Sequence, residues 1–357
     1  MKSNYDILGN HIRLIDTRNR ESITDRVLGI NIDKFFMPSV ANVIGTDLSK
    51  YKLITKGNFA CNPMHVGRDE RLPVALYDEE EPAIVSPAYF MFEVVDNSIL
   101  NEDYLMMWFR RPEFDRICWL HTDGSVRGGI TWDDICRLEL PIPPIENQLE
   151  IVNSYKAITE RIALKQKIND NLDDTAQTLY QKYFESNSDK SSWKQGTVGD
   201  VLQLQRGHDL PRTEMTGGKY PVAGSTGTIG YHDEFTAEAP VIVMGRSGNI
   251  GNPRLYLCNC WTHNTSLYVK QIYEAEPLWV FYLLKNLNYD GFVGGSAVPT
   301  LNRNDVHAYG IAIPPLELQK SFSQKVMSLI YCKEENLSEI EKLQELQKII
   351  LTTMSSR

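Results

Sequence analysis

Apolar side chains recur at spacings of three and four along two stretches of the chain. Residues 146–185 carry Ile151, Tyr155, Ile158, Ile162, Ile168, Leu172, Ala176, Leu179 and Tyr183; residues 317–353 carry Phe322, Val326, Leu329, Leu337, Ile340, Leu343, Leu346 and Ile350. That period gathers apolar groups on one face of an α-helix. Each stretch therefore predicts a one-striped amphipathic helix of about 40 residues, on the order of 60 Å long at 1.5 Å per residue. Such a stripe must be covered, and two helices that each follow an equivalent domain can cover one another when they run antiparallel. The plainer alternative folds each helix back on its own domain.

The stretches before the helices have a different pattern. Short β-rich runs such as Pro240-Val-Ile-Val-Met244 and Ser266-Leu-Tyr-Val269 are separated by Gly and Asn turns, which predicts strands joined by tight loops. The two halves also repeat. Residues 124–148 align without a gap with residues 295–319, and eight of the 25 positions are identical, ending in Ile142-Pro143-Pro144 with Glu146 and Gln148, and Ile313-Pro314-Pro315 with Glu317 and Gln319. A weaker echo links residues 7–12 with residues 197–202. The expected fold is α+β: two α/β domains in a pseudo-two-fold repeat, separated by two long antiparallel helices as a coiled-coil spacer. The boundaries are 1–145 and 193–313 for the domains, and 146–186 and 314–357 for the central and C-terminal helices.

Composition narrows the class. At 357 residues, 42% hydrophobic and 23% charged, the chain has ordinary globular proportions. No run approaches the ~18 apolar residues of a membrane span, and the first residues lack a signal peptide's apolar core, so a cytoplasmic protein is expected. The six cysteines are scattered, unlike a disulfide framework. Cys258-Asn-Cys260-Trp-Thr-His263 offers three soft ligands but no second pair at zinc-finger spacing, so no metal site is assigned. The formal charge is −9. Basic against acidic residues number 16 and 22 in 1–145, 6 and 8 in 146–192, 9 and 10 in 193–312, and 6 and 6 in 313–357. A nucleic-acid surface must come from local clustering or from basic partners.

The motifs argue against catalysis by this chain. Asn62-Pro63-Met64-His65 lacks the second proline and aromatic face of a flipped-base pocket. No Gly-x-Gly-x-x-Gly turn occurs, and Tyr220 after Gly218-Lys219 rules out a P-loop. What the second half offers is glycine-rich loops interleaved with side chains suited to phosphates and base edges: Ser225, Thr226, Thr228, Arg246, Ser247, Asn249 and Asn252. Arg206 with His208 adds a second loop and Thr300 with Arg303 a third. The analogous candidates in the first half are Arg18, Arg20, Asn62, His65, Arg68 and Arg127. Two reading domains on a stiff spacer predict an interrupted DNA target of two short sequences at a fixed gap, in the manner of readers whose half-sites lie ~34 Å apart.

These residues carry a resemblance. Pro141-Ile-Pro-Pro-Ile-Glu-Asn-Gln148 and Ala312-Ile-Pro-Pro-Leu-Glu-Leu-Gln319 resemble the repeated boundary of the type I restriction-modification specificity subunits. The stretch from Ile168-Asn-Asp-Asn-Leu172 to Leu179-Tyr-Gln-Lys-Tyr-Phe184 is similar to that family's central helical region. Lys219–His232 with Val243–Gly251 resembles its glycine-rich target-recognition domain. Phe59–His65 looks like an alternative version, with His65 where an arginine is expected. The resemblance covers nearly the whole chain and implies a non-catalytic, DNA-binding subunit that reads a bipartite double-stranded target. It further implies two methyltransferase subunits that modify adenine with S-adenosylmethionine, and restriction subunits that use ATP and Mg, with no cofactor in this chain. A freestanding two-headed regulator or an assembly scaffold is the alternative.

Overall fold

The computed structural model describes residues 5–64, 66–122, 128–289 and 300–354. The chain divides into two compact units, residues 1–164 with 339–357 and residues 165–338. The division falls inside the long helices rather than at their ends, so each unit takes part of both.

The first unit contains strands β1 (Tyr5–Ile7), β2 (Ile12–Leu14), β3 (Val27–Ile30), β4 (Phe36–Pro38), β5 (Lys52–Ile54), β6 (Phe59–Cys61), β7 (Val74–Leu76), β8 (Ala83–Val85), β9 (Phe90–Val94) and β10 (Glu139–Pro141). They form sheets ordered β2-β9-β6-β7 and β4-β3-β8-β5, with β1 paired to β10. Its helices are α1 (Val66–Asp69), α2 (Glu102–Phe109), α3 (Pro112–Leu120), α4 (Trp132–Cys136) and the first part of α5 (Ile145–Tyr180). Local chemistry starts these helices. Asn101 accepts a hydrogen bond from the Tyr104 amide to open α2, Pro112 occupies the first turn of α3, and Thr131 with Asp134 forms a capping box on α4. The core packs Phe59 on Phe92 at 5.0 Å with Phe109 edge-on to both.

The second unit contains β11 (Lys194–Thr197), β12 (Leu202–Arg206), β13 (Tyr220–Gly224), β14 (Gly227–His232), β15 (Val241–Gly245), β16 (Gly251–Tyr256), β17 (Trp261–Thr262), β18 (Ser266–Ile272) and β19 (Gly310–Ile313). Its helices are the rest of α5, α6 (Pro277–Asn286), α7 (Arg303–His307) and the first part of α8 (Leu316–Thr353). The sheets are β12-β18-β15-β16 and β14-β13-β17, with β11 paired to β19.

The repeat read from sequence is a repeated frame. β2-β9-β6-β7 and β12-β18-β15-β16 have the same order, and α4 and α7 follow at the same interval of 171 residues. The Leu8 amide donates to the Leu138 carbonyl as the Val198 amide donates to that of Tyr309. Gln148 and Gln319 are both buried at the start of a long helix. Gln148 Oε1 accepts from the Asn101 amide, and its Nε2 donates to the carbonyls of Ile99 and Pro143. Gln319 Oε1 accepts from the Glu276 amide and its Nε2 donates to the carbonyl of Pro314. Each carboxamide thus ties a long helix to the start of a domain helix, α2 or α6. Of the sequence repeat, Gly124-Ser125 and Gly295-Ser296 lie outside the described residues.

Of the two long helices, α5 continues as a π-helical turn over Gln181–Glu185 and α8 runs unbroken over Leu316–Thr353. Within each unit their segments run antiparallel. Thr159 Oγ1 accepts from Gln347 and Arg161 pairs with Glu339 in the first; Lys165 meets Asn336 and Asp173 meets Lys333 in the second. The inward positions differ from the sequence stripe. On α5 they are 151, 155, 158, 162, 165, 169, 172, 176, 179 and 183, and on α8 322, 326, 329, 333, 336, 340, 343, 347, 350 and 354. Alternate steps of four and three mark a heptad seam. Ile168, Leu337 and Leu346, expected on the stripe, are 38%, 40% and 44% exposed, because the heptad runs through polar neighbours instead. Among the described residues no helix is long and apolar enough to cross a membrane.

Candidate nucleic-acid interface

In the second unit, strands β12 and β15 flank β18. Arg206 ends β12 opposite Leu267, and Gly245 ends β15 opposite Ser266. Adjacent strands lie about 4.8 Å apart, so Arg206 and Arg246 emerge from one sheet edge roughly 10 Å apart along the sheet. The amides of Arg246 and Ser247 both donate to the Thr265 carbonyl, and the Leu301 amide donates to the Arg246 carbonyl. Ser247 also bridges Thr300. Asn249 Nδ2 donates to the Ser225 carbonyl at 3.0 Å, and Asn252 donates to Asn249 Oδ1 at 2.9 Å. Gly245 is required here: an added Cβ would stand 1.5 Å from the Asn249 carbonyl oxygen.

The structure therefore gathers Arg206, Ser225, Arg246, Ser247, Asn249, Asn252 and Thr300 into one loop cluster. His208 joins through its amide, which donates to the Thr262 carbonyl at 2.7 Å, and a bridge to His263. Thr226 is exposed on the β13–β14 turn, and Arg303 is exposed at the start of α7. Thr228 points elsewhere, its hydroxyl 3.4 Å from that of Tyr256. It lines a separate groove of about 690 Å³ with Lys219, Arg254 and Lys285.

The turn His263-Asn264-Thr265 belongs to the cluster and was missed by the sequence reading. Arg206 Nε donates to the Asn264 carbonyl at 3.4 Å, and Thr265 Oγ1 accepts from the Ser225 amide at 3.3 Å. The available signal was a polar turn between two strand-like runs, and the neighbouring Cys258 and Cys260 hold no assigned metal. Cys260 is buried in a small core with Val241, Val243 and Tyr268, whereas Cys258 is exposed. Electrostatically, burial and then the positive charge of Arg206 lower the Arg246 pKa from its ordinary value. A guanidinium stays charged at neutral pH regardless, so two like charges share this edge, and no carboxylate salt bridge to either occurs among the described residues.

The first unit has the same frame with different loops. The β6–β7 connection corresponds to β15–β16: the Ile130 amide donates to the Pro63 carbonyl as Leu301 does to Arg246, and the Gly67 amide donates to the Gly128 carbonyl. Asn62 Oδ1 accepts from the Met64 amide at 3.2 Å. Arg68 binds Asp69 through both Nε and a terminal nitrogen, at 2.6 and 2.9 Å. Arg18 is likewise engaged, 2.6 Å from Asp16 and donating to the Lys50 carbonyl at 2.8 Å, on a loop bridged to Lys52 of β5. Arg20 on that loop is exposed. His65 and Arg127 lie outside the described residues.

Known proteins are similar to this chain. Residues 190–349 match the type I restriction modification DNA specificity domain. The chain is 21% identical to the specificity subunit ascribed to the MjaX type I restriction enzyme of Methanocaldococcus jannaschii, over 98% of this chain and 88% of that one. It is 24% identical to the HindI type I restriction enzyme specificity subunit of Haemophilus influenzae, over 53% of this chain and 40% of that one. The fold is similar to the crystal structure of the type I restriction-modification S subunit from M. genitalium, with a TM-score of 0.63, 16% identity, and 100% and 97% of the two chains covered. A chain from a structure of type I restriction-modification complex assembly and conformational transition gives a TM-score of 0.51 at 16% identity over 98% and 96%. The second half of the chain thus carries a match to a DNA specificity domain, and the first half repeats its four-stranded sheet order. The chain is similar along nearly its whole length to type I restriction-modification specificity subunits.

Proposed function

We propose that the chain reads a bipartite, gapped double-stranded DNA target, one half through the β15–β16 cluster and the other through the β6–β7 connection. The observation that carries this is a repeated frame with differing loops: Pro63 and Arg246 occupy equivalent hydrogen-bonded positions, yet their neighbours differ in kind. Two equivalent sheet edges with different side chains suit two different half-targets. The Arg206 and Arg246 guanidiniums match guanine O6 and N7 or a phosphate, and Ser247, Asn249 and Asn252 supply shorter-range donors and acceptors.

In this reading the chain is not an enzyme. Two methyltransferase subunits would modify adenine with S-adenosylmethionine, and restriction subunits would cut with ATP and Mg, in the cytoplasm. The exposed Leu164, Ile168, Tyr331 and Ile349 on the long helices offer apolar area for such partners. The test is co-expression with the methyltransferase subunit of the same genome and single-molecule mapping of methylated adenines. One bipartite motif with a fixed gap is expected; methylation that is unchanged when this chain is deleted would favour a freestanding binder or scaffold.

A further inference from the structure

The turn between β17 and β18 holds a histidine whose proton is assigned by its neighbours. The His263 amide donates to the Ala223 carbonyl at 2.9 Å, and the His263 carbonyl accepts from the Ser266 amide at 3.0 Å and the Ser266 hydroxyl at 2.6 Å. Ser266 is fully buried, and Gly207 presses so closely on the same carbonyl that a Cβ there would stand 2.2 Å from its oxygen. The backbone of His263 is thereby fixed by β13, β18 and the end of β12. The ring is fixed too. Nδ1 lies 2.9 Å from Thr265 Oγ1 and accepts from the Thr265 amide at 3.4 Å. A nitrogen that faces an amide hydrogen carries no proton of its own, so the Thr265 hydroxyl donates to Nδ1, and the proton of the neutral ring resides on Nε2. The hydroxyl has its proton to give, because towards the Ser225 amide, at 3.3 Å, it only accepts. Nε2 bonds none of the described residues and is not among the buried atoms that lack a partner, so it presents its donor to solvent.

This donor belongs to the loop cluster. The Thr265 carbonyl holds the Arg246 and Ser247 amides, and Arg206 Nε donates to the neighbouring Asn264 carbonyl at 3.4 Å. In the major groove the bases offer acceptors at purine N7, guanine O6 and thymine O4, whereas cytosine offers only its N4 amino donor. A ring with one outward donor and no outward acceptor bonds to the first three and meets an N–H from the fourth. A ring free to turn over or change tautomer would bond to all four. We propose that His263 is a specificity-determining residue that excludes cytosine at one position of the second unit's half-target, and that Thr265 is the positioning residue that holds the ring in this state. The inference deepens the two-headed reading above and rests on it.

The test uses the full chain assembled with the methyltransferase subunit of its own genome, with methylated adenines mapped by single-molecule sequencing. The unaltered complex should give one bipartite motif. H263A should raise methylation of sites with cytosine at a single position, in one half only, by about tenfold relative to the parent sequence, the size of one lost base contact. T265V should relax the same position in the same direction, while T265S, which keeps the hydroxyl, should retain the exclusion. The double variant H263A/T265V should relax it no further than H263A alone. A Thr265 that only supports the Ser225 amide would instead lower methylation of every site alike, and its effect would add to that of H263A. Unchanged base preference at every position in an assembled H263A complex overturns the proposal. Should H263A fail to assemble, H263Q keeps a donor and adds an acceptor, so it should admit cytosine; continued exclusion there overturns the proposal equally. A parent complex without a bipartite motif marks the failure of the two-headed reading, whereas a parent with the motif and an indifferent His263 marks the failure of this inference alone.

Discussion

Arg246 and Arg68 look alike in sequence, two arginines in glycine-containing connections at equivalent places in the frame. Their surroundings separate them. Arg68 is bound side-on by Asp69, while Arg246 shares its sheet edge with Arg206 and its backbone is held on both sides by Thr265 and Leu301. Arg246→Ala is therefore expected to lower affinity of the assembled complex for its own target by ~1–3 kcal/mol while binding to random duplex hardly changes. Fluorescence anisotropy competition measures both; equal loss on both duplexes would make Arg246 a phosphate contact. Arg68→Ala should change target affinity far less, because an exposed pair already spends the charge. Gln148 was legible only as part of a repeat. Its role comes from contacts 47 and 49 residues away in the chain, at Asn101 and Ile99, which no local pattern encodes. Gln148→Ala leaves a half-buried amide and two carbonyls without this side chain, so a loss of about 1 kcal/mol is expected, with faster hydrogen exchange at Asn101. Protection at Asn101 equal to wild type would show that water replaces the side chain.

Elements were read from sequence to the extent that their pattern is local. The long helices were legible because three-and-four spacing persists over many turns, and α5 and α8 each begin just after a Pro-Pro pair. The inward face was harder: Ile168, Leu337 and Leu346 satisfied a hydrophobicity criterion, but the seam follows a strict heptad that includes polar residues, which a search for apolar positions skips. Short strands such as β6 and β7, three residues each, carry too little pattern to be placed alone, yet the shared sheet order is what identifies the equivalent loops. One inter-element link gives a pH test. The Leu204 amide of β12 donates to Nε2 of His307 in α7 at 2.8 Å, which requires a neutral ring. Burial, then the charge of Arg303, lowers the His307 pKa from its ordinary 6.5. Near pH 6.5 the unfolded chain therefore binds more protons than the folded one, and stability falls as pH falls. The hydrogen bond should be worth about 1 kcal/mol at pH 7.5. Its contribution should shrink through the window below 6.5 and be lost once the folded imidazole also protonates. Wild type and His307→Cys, which copies Cys136 at the repeat-equivalent position, should converge in melting temperature between pH 7.5 and 5.5; a constant difference would mean that the ring is not the acceptor.

At the scale of the whole molecule, charge opposes the task. The chain carries 46 acidic against 37 basic residues, and several of its arginines are held by carboxylates, as Arg13 is by Glu93, Arg26 by Glu79 and Arg71 by Asp33. In the candidate loop cluster Arg206 and Arg246 are the arginines placed for phosphate or base edges. Counterion release scales with the number of phosphates neutralised, at a slope of about −0.9 per contact on duplex DNA. A chain with few such contacts gains little from release and suffers long-range repulsion from its net charge of −9. The purified chain is therefore expected to bind its target weakly at about 150 mM salt, with a shallow dependence of log K on log salt of roughly −2 to −3, whereas the assembled complex should show a markedly steeper slope. Discrimination should behave differently from affinity. Because it resides in base-edge contacts, the ratio of target to random-duplex binding, measured for the chain alone at low salt, should survive largely in the complex. Titrations of both species from 50 to 300 mM salt separate the two quantities. Tight binding by the chain alone, with a slope as steep as that of the complex, would place the phosphate surface on this subunit and remove the need for basic partners.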